Sequence, residues 1–308
     1  MKTPWGPIRV SDAHAHLFSR SFFETLAQQK CATGIETDAA GLVRQLGWDP
    51  PPADNAELAA RWVVELDQHG VDQIALMASV PGDESAAADA VKAQPDRIHG
   101  YFMLNPLAPD AVERARRAID ELGLKGICLF PAMQRFSVQD ERLKPIYELA
   151  SKRSGVVVFV HMGVLSVGVR SKLGLPCKFD MSFSNPVDLH SVALDYPQVN
   201  FVIPHFGAGF FREVLMLCDL APNVYIDTSS TNSWMKYQVP EVDLKTVFAK
   251  ALEIIGPKRV LFGSDSSFFP RGWVSAIANS QVAVLSELGV NAEDASAILG
   301  GNLRRLLE

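Results

Sequence analysis

The stretch IRVSDAHAH, residues 8–16, joins an apolar run typical of a buried strand to two histidines. Strands buried on both faces of a parallel sheet read as near-continuous apolar runs. An open doubly wound sheet, the alternative fold, usually carries a glycine-rich phosphate loop after an early strand. In this chain the first predicted strand, residues 8–13, leads instead into His14 and His16. The stretch therefore favours a closed parallel barrel.

Similar apolar runs recur along the chain, and segments of helical period separate them. Strands are predicted at residues 8–13, 73–77, 98–103, 126–130, 156–161, 200–204, 224–227 and 259–263. Helices are predicted at residues 54–69, 84–94, 109–121, 140–153, 186–195, 209–219, 241–255 and 272–288. This alternation predicts a (β/α)8 TIM barrel that forms a single domain over residues 1–308.

Extended loops are predicted after strands 1, 5 and 7, at residues 19–53, 162–185 and 228–240. Each follows the carboxyl end of a strand, which is the face where barrels of this kind build their active sites. We therefore expect these loops to surround a substrate site.

Composition excludes several classes of protein. Lys and Arg number 29 against 35 Asp and Glu, and this net charge of −6 argues against a nucleic-acid-binding protein. No apolar run approaches the roughly 18 residues of a membrane span. The four cysteines are scattered and the N-terminus lacks the apolar core of a signal peptide. The sequence therefore predicts reduced thiols and a cytoplasmic protein that acts on a small molecule.

Five residues of metal-ligand type fall at the carboxyl ends of four predicted strands. They are His14 and His16 after strand 1, His161 at the end of strand 5, His205 after strand 6 and Asp265 after strand 8. Taken singly, a histidine here can be a core residue and an aspartate the cap of the next helix. The barrel brings these ends around one mouth, however. Imidazoles with one carboxylate suit a divalent ion such as zinc.

The residues around these positions resemble a known family. The motifs are Asp12-Ala-His-Ala-His16, Lys125-Gly-Ile127, Val160-His-Met-Gly163, Pro204-His-Phe-Gly207, Gly263-Ser-Asp265 and Gly301-Asn302. Together they resemble the amidohydrolase superfamily, in the amidohydrolase-related branch that includes aminocarboxymuconate-semialdehyde decarboxylase. The resemblance covers nearly the whole chain.

The resemblance implies a barrel with one divalent metal per chain, zinc as the first choice and manganese as the alternative. Carried over by position, His14, His16, His161 and Asp265 would be the metal ligands. His205 would lie near the activated water as an acid or base. Two-metal relatives bridge their ions with a lysine at the end of strand 4, whereas Lys125 stands at the start of that strand. The branch often forms dimers, so a homodimer is expected.

Three functions fit these residues. The first is a metal-dependent hydrolase that uses a metal-activated water, with His205 and Asp265 as the catalytic residues. It is placed first because the superfamily is predominantly hydrolytic. The second is a non-hydrolytic, metal-dependent decarboxylase of an aromatic or muconate-like acid. The third is a catalytically silent barrel that binds a metal or a metabolite.

Cationic residues in the loops after the strands suggest an anionic, carboxylated substrate, because an arginine fork matches a carboxylate. The alternative is that loops simply carry solvated charge. Aromatic residues beside these cations can frame a conjugated ring or serve as packing anchors. The predicted substrate-binding residues are Arg20, Arg170, Arg212, Trp234 and Arg271.

Overall fold

Eight parallel strands form a nearly closed barrel, as the alternating sequence pattern predicts. The computed structural model describes residues 1–229 and 233–308. Neighbouring strands pair in chain order, and every pairing within the barrel is parallel. The strands are β1 (Ser11–Leu17), β2 (Gln73–Ala78), β3 (Ile98–Met103), β4 (Gly126–Leu129), β5 (Val157–Val160), β6 (Asn200–Ile203), β7 (Val224–Asp227) and β8 (Val260–Leu261).

The barrel closes where the segment after β8 meets β1. The amide of Ala13 donates to the carbonyl of Phe262 at 2.8 Å, and the amide of Asp265 donates to the carbonyl of His14 at 2.9 Å. The amide of His16 donates to the carbonyl of Ser266 at 2.7 Å. Closure therefore places Asp265 beside the two histidines of β1, although about 250 residues separate them in the chain.

The first strand lies later than the sequence pattern indicates. Residues 8–13 were expected, whereas β1 spans Ser11–Leu17 and contains both His14 and His16. The prediction followed apolar side chains, but the strand continues through polar residues that find buried partners. Asp12, for example, is fully buried and accepts a hydrogen bond from the indole nitrogen of Trp273 at 2.8 Å. A short hairpin, Lys2–Thr3 with Gly6–Pro7, precedes β1.

The helices that connect the strands lie close to their predicted positions. Helix Asn55–His69, which precedes β2, shows the local signals that fix these positions. Asp54 caps its first turn by accepting from the amide of Ala56, and Gly70 ends it in a left-handed conformation. The connecting helices are Asn55–His69, Glu84–Ala93, Ala111–Asp120, Lys144–Ser151, Leu189–Asp195, Phe211–Leu220, Leu244–Ile255 and Ser275–Glu287.

Shorter helices occupy the chain end and the connections between these elements. They are Pro131–Gln134, Ala292–Ser296 and Asn302–Leu307. Among the described residues, no helix has the length and apolar character that crossing a membrane requires. All four cysteines are free, in agreement with the prediction of reduced thiols.

The extended loops after β1 and β5 pack on each other above the barrel. The loop after β1 contains helices Arg20–Cys31 and Ala39–Leu46, and the loop after β5 contains helix Gly168–Lys172. Phe22 and Leu42 of the first loop and Leu173 of the second belong to one buried apolar cluster. This cluster is separate from the main core and forms a roof over one side of the barrel mouth.

Candidate active site

One cavity of about 300 Å³ opens at the carboxyl ends of the strands, which is a volume typical of small-molecule sites. The five residues that the sequence singled out as ligands or acid–base groups all line it. They are His14, His16, His161, His205 and Asp265. The structure therefore brings together side chains from β1 and from the segments after β5, β6 and β8.

His16 is held by a hydroxyl group from the next strand. The Oγ of Ser79 donates to the carbonyl oxygen of Met77 at 2.9 Å, and it lies 2.8 Å from Nδ1 of His16. A carbonyl oxygen only accepts hydrogen bonds, so the Ser79 hydroxyl donates its one hydrogen bond there. The Ser79 oxygen therefore accepts a hydrogen bond from Nδ1 of His16. The other ring nitrogen of His16, Nε2, faces Oδ1 of Asp265 at 3.0 Å.

His14 is held in the same manner by a carboxylate. Its Nδ1 lies 2.9 Å from Oδ2 of Asp227, and its Nε2 lies 3.7 Å from Oδ1 of Asp265. Burial lowers the pKa of His14, but the charge of Asp227 and the hydrogen bond to it, together with Asp265, raise that pKa to about 9. Metal-binding histidines usually have their second ring nitrogen held by a carboxylate or another oxygen, as both are here.

Asp265 completes a compact donor set with these two imidazoles. Ligand atoms of His14, His16 and Asp265 all lie within 4.8 Å of one another. Desolvation raises the pKa of the Asp265 carboxyl, but the hydrogen bond with His16 and the charge of His14 hold it well below its usual range. Two imidazole nitrogens and one carboxylate fit a divalent ion such as zinc or manganese.

His161 and His205 are buried on the same cavity wall, with ring centroids 5.2 Å apart. Burial and the neighbouring imidazoles lower the pKa of His161 to about 3, and burial together with His14 lowers that of His205. Nδ1 of His161 is buried and has no hydrogen-bond partner among the described residues. A neutral imidazole with an unpaired nitrogen suits a metal ligand, although His161 stands outside the compact set of three.

The backbone is strained at two of these positions. His205 and Asp265 both have φ of 58°, a region that residues other than glycine rarely adopt. The amide of His205 donates to Oδ1 of Asp227 at 3.2 Å, and that of Asp265 donates to β1, so each conformation is held by a specific hydrogen bond. Such strain concentrates at functional sites, where the surrounding structure maintains it.

Five aromatic side chains and two cations are also part of the cavity wall. Trp48 and Phe268 stack with centroids 3.8 Å apart, and the wall also includes Phe18, Phe22 and Phe130. The guanidinium of Arg271 lies 4.6 Å from the Phe268 centroid, and Nζ of Lys172 lies 5.7 Å from that of Trp48. This wall can hold a flat, anionic ligand.

Arg271 is the one predicted substrate-binding residue that lines this cavity in the described part of the chain. Arg20 pairs with Glu24 and Arg212 with Glu213, and their side chains are 61% and 82% exposed. Arg170 donates to Gln29 and to the carbonyl of Pro176, and the first of these bonds links the loop after β5 to the loop after β1. Trp234 is buried against Phe206 and Phe211. In the described part of the chain, none of these four residues lines the cavity.

Several side chains that support the site were not singled out from the sequence. They are Ser79, Asp227 and Ser229, which hold the histidines. Lys172, one of the loop cations that the sequence does indicate, joins Arg271 at the cavity. A signal existed for Asp227, which is an acidic residue at the end of an otherwise apolar strand. A serine two residues beyond a strand gives no such signal.

The family model described as Amidohydrolase matches residues 11–308. Among curated proteins, the chain is 33% identical over 87 residues to the protein fluG of Emericella nidulans, which covers 28% of this chain. The matched segment spans only 10% of the length of that relative.

Solved structures of similar fold cover nearly the whole chain. A 5-carboxyvanillate decarboxylase of Novosphingobium aromaticivorans, with bound manganese, matches with a TM-score of 0.65 and 15% identity over 97% of each chain. A 4-oxalomesaconate hydratase of Rhodopseudomonas palustris matches with a TM-score of 0.62 and 17% identity, over 97% of this chain and 95% of its own. At these identities the likeness shows the shared barrel fold.

Proposed function

Because the chain belongs to the amidohydrolase family, we propose that it is a metal-dependent enzyme that acts on a small carboxylated compound. The observation that carries this proposal is the arrangement of His14, His16 and Asp265. Both imidazoles have Nδ1 engaged by an oxygen and direct Nε2 toward Oδ1 of the same carboxylate. Histidine pairs in a plain hydrophobic core have no need for this arrangement.

His14, His16, His161 and Asp265 would hold one divalent ion, zinc or manganese. The manganese in the similar 5-carboxyvanillate decarboxylase supports the second choice. When bound, such an ion supplies a Lewis acid that activates water or polarises a carbonyl group. Asp265 is 35% exposed toward the cavity, so its carboxylate can also receive a proton from a reacting group. His205, buried and neutral, can accept a proton or orient the substrate.

The proposed substrate is planar and anionic. Stacked aromatic rings such as Trp48 and Phe268 offer a flat apolar face. Arg271 reaches over Phe268 and can pair with a carboxylate, and Lys172 adds a second positive charge nearby. Binding energy from these groups would hold the reacting bond beside Asp265 and His205.

Hydrolysis is the proposed reaction, with His205 and Asp265 as the residues that take and return protons. Decarboxylation of an aromatic or muconate-like acid is the second candidate, and the aromatic cavity wall specifically favours it. The resemblance in fold to a 5-carboxyvanillate decarboxylase supports the same candidate. Both reactions use a carboxylated substrate and the same metal ligands.

Elemental analysis of protein without a histidine tag tests the metal site. We expect about one zinc or manganese per chain, and its loss in the His14→Ala/His16→Ala double variant. His190→Gln is the matched control, because His190 lies in helix Leu189–Asp195 and does not line the cavity. If no metal binds even after it is added back, the metal-dependent function is wrong. Nearly two ions per chain would contradict the single-metal site.

Isotope labelling separates the two reactions. Carboxylated esters, lactones and aromatic acids carrying a ¹³C-carboxyl group are incubated with the metal-loaded protein in H₂¹⁸O. Hydrolysis incorporates ¹⁸O into the product and keeps the label in solution. Decarboxylation releases ¹³C-labelled carbon dioxide and incorporates no ¹⁸O into the organic product that remains. Metal-loaded protein that turns over none of these classes would favour the silent metal-binding barrel.

A further inference from the structure

A buried carboxylate and a buried serine lie behind two of the cavity histidines. Asp227, at the end of β7, and Ser229, two residues further on, are both fully buried. Oγ of Ser229 lies 2.9 Å from Nδ1 of His14 and 2.8 Å from Nδ1 of His205, and it donates to Oδ1 of Asp227. One hydroxyl group thus contacts a predicted metal ligand, the predicted acid–base residue and a carboxylate.

The groups around Asp227 show which atom donates and which accepts in each of these hydrogen bonds. Its Oδ1 accepts from the backbone amides of His205 at 3.2 Å and Ser229 at 2.9 Å, and from the Ser229 hydroxyl. Its Oδ2 faces Nδ1 of His14 at 2.9 Å. Four donors around one side chain suit a carboxylate that only accepts. His14 therefore donates from Nδ1, which leaves Nε2 as the nitrogen that faces the cavity.

The direction of the Ser229 hydrogen bond then determines which ring nitrogen of His205 carries the proton. A hydroxyl bonded to a carboxylate makes a charge-assisted bond, which is stronger than a bond to a neutral imidazole. When the Ser229 hydroxyl donates its hydrogen bond to Asp227, its oxygen can only accept a hydrogen bond from Nδ1 of His205. A neutral His205 then carries its proton on Nδ1 and presents a bare Nε2. In this state its Nε2 can receive a proton and has none to donate.

We propose that Asp227 and Ser229 are positioning residues that keep His14 as a ligand and His205 as a resting proton acceptor, both through one buried carboxylate. The inference rests on the proposed function for its catalytic meaning. It couples two tasks, because a change at Asp227 disturbs ligand and acceptor together, whereas a change at Ser229 mainly disturbs the acceptor. An alternative use of His14, His205 and Asp227, whose ligand atoms lie within 4.8 Å of one another, is a second metal ion.

The test is the tautomeric state of His205 in metal-free protein, read by NMR with ¹⁵N-labelled histidine at pH 8. Loss of one signal set in His205→Gln assigns the residue. We expect the Nδ1–H form in the natural protein, loss of that preference in Ser229→Ala, and its recovery in Ser229→Thr, which restores a hydroxyl. This readout requires neither metal nor turnover, so it can fail or succeed independently of the proposed function.

Zinc affinity, measured by chelator competition, tests the coupling. Asp227→Asn should weaken zinc binding by about 10–100-fold, as loss of a partner behind a metal ligand usually does. Ser229→Ala should weaken it less, since Asp227 still holds His14. Thr228→Val is the matched control, because the buried Thr228 hydroxyl bonds to Gln281 and contacts neither histidine. An Nε2–H form of His205 in the natural protein, an unchanged tautomer in Ser229→Ala, or a second zinc ion lost on mutating Asp227 would overturn the proposal.

Discussion

Replacing Ser79 by alanine removes the group that orients His16 and should weaken metal binding without unfolding the barrel. The Ser79 hydroxyl accepts from Nδ1 of His16 at 2.8 Å while its own proton goes to the Met77 carbonyl. In Ser79→Ala the ring can rotate, and it can also carry its proton on Nε2, which must be bare to bind a metal. Loss of such a partner usually costs about 10–100-fold in metal affinity. That range corresponds to about 1.4–2.7 kcal/mol of binding free energy.

The assay compares zinc dissociation constants by chelator competition with urea unfolding of the metal-free protein. The free energy of unfolding should fall by only about 1 kcal/mol, the net contribution of an ordinary hydrogen bond. Ser184→Ala is the control: Ser184 is fully buried and its hydroxyl donates to the Met181 carbonyl at 3.0 Å, but it does not line the cavity. Unchanged zinc affinity in Ser79→Ala, or an equal loss in both variants, would refute the reasoning.

Three further predictions concern charge, packing and protons. Arg271→Gln should weaken binding of a carboxylated ring compound by about tenfold or more while sparing its neutral amide analogue, since a hydrogen bond to a charged group contributes about 1.5–3 kcal/mol; titration calorimetry of both compounds would show any failure of this discrimination. Trp62→Ala should lower the free energy of unfolding by about 3–5 kcal/mol because the indole is fully buried in the core, and a urea midpoint close to the natural one would contradict this. The pKa of His14, about 9 in the metal-free protein, implies that zinc uptake near pH 7.5 displaces its proton. The ion pair with Asp227 should stabilise the metal-free fold fully below pH 6.5, the ordinary His pKa, and lose effect as the pH rises through about 9. Calorimetry in buffers of different ionisation enthalpy, and unfolding at several pH values, would reveal the absence of either effect.

The main features of the barrel could be predicted because they depend on local patterns. Apolar runs of strand length alternate with segments of helical period, and few folds accommodate eight such repeats. The predicted strand, residues 8–13, began and ended too early, because it followed the apolar side chains and stopped before His14 and His16. The polar side chains of β1, such as Asp12 and His14, are nevertheless buried. Their burial depends on partners such as Trp273 and Asp227, more than 200 residues away in the chain. Local hydrophobicity contains no information about such partners.

By itself, the sequence determined that His14, His16, His161, His205 and Asp265 would meet at one cavity. The reason is topological: in a parallel barrel every strand ends at the same mouth, so a residue's place relative to its strand predicts its place in the molecule. Only the tertiary structure decided which loop cations enter that cavity. Arg271 and Lys172 line it, while Arg20, Arg170 and Arg212 bind partners elsewhere, because a loop's path depends on how it packs. The hydrogen bonds that Ser79, Asp227 and Ser229 accept from the imidazoles likewise arise only when distant strands come together in the barrel.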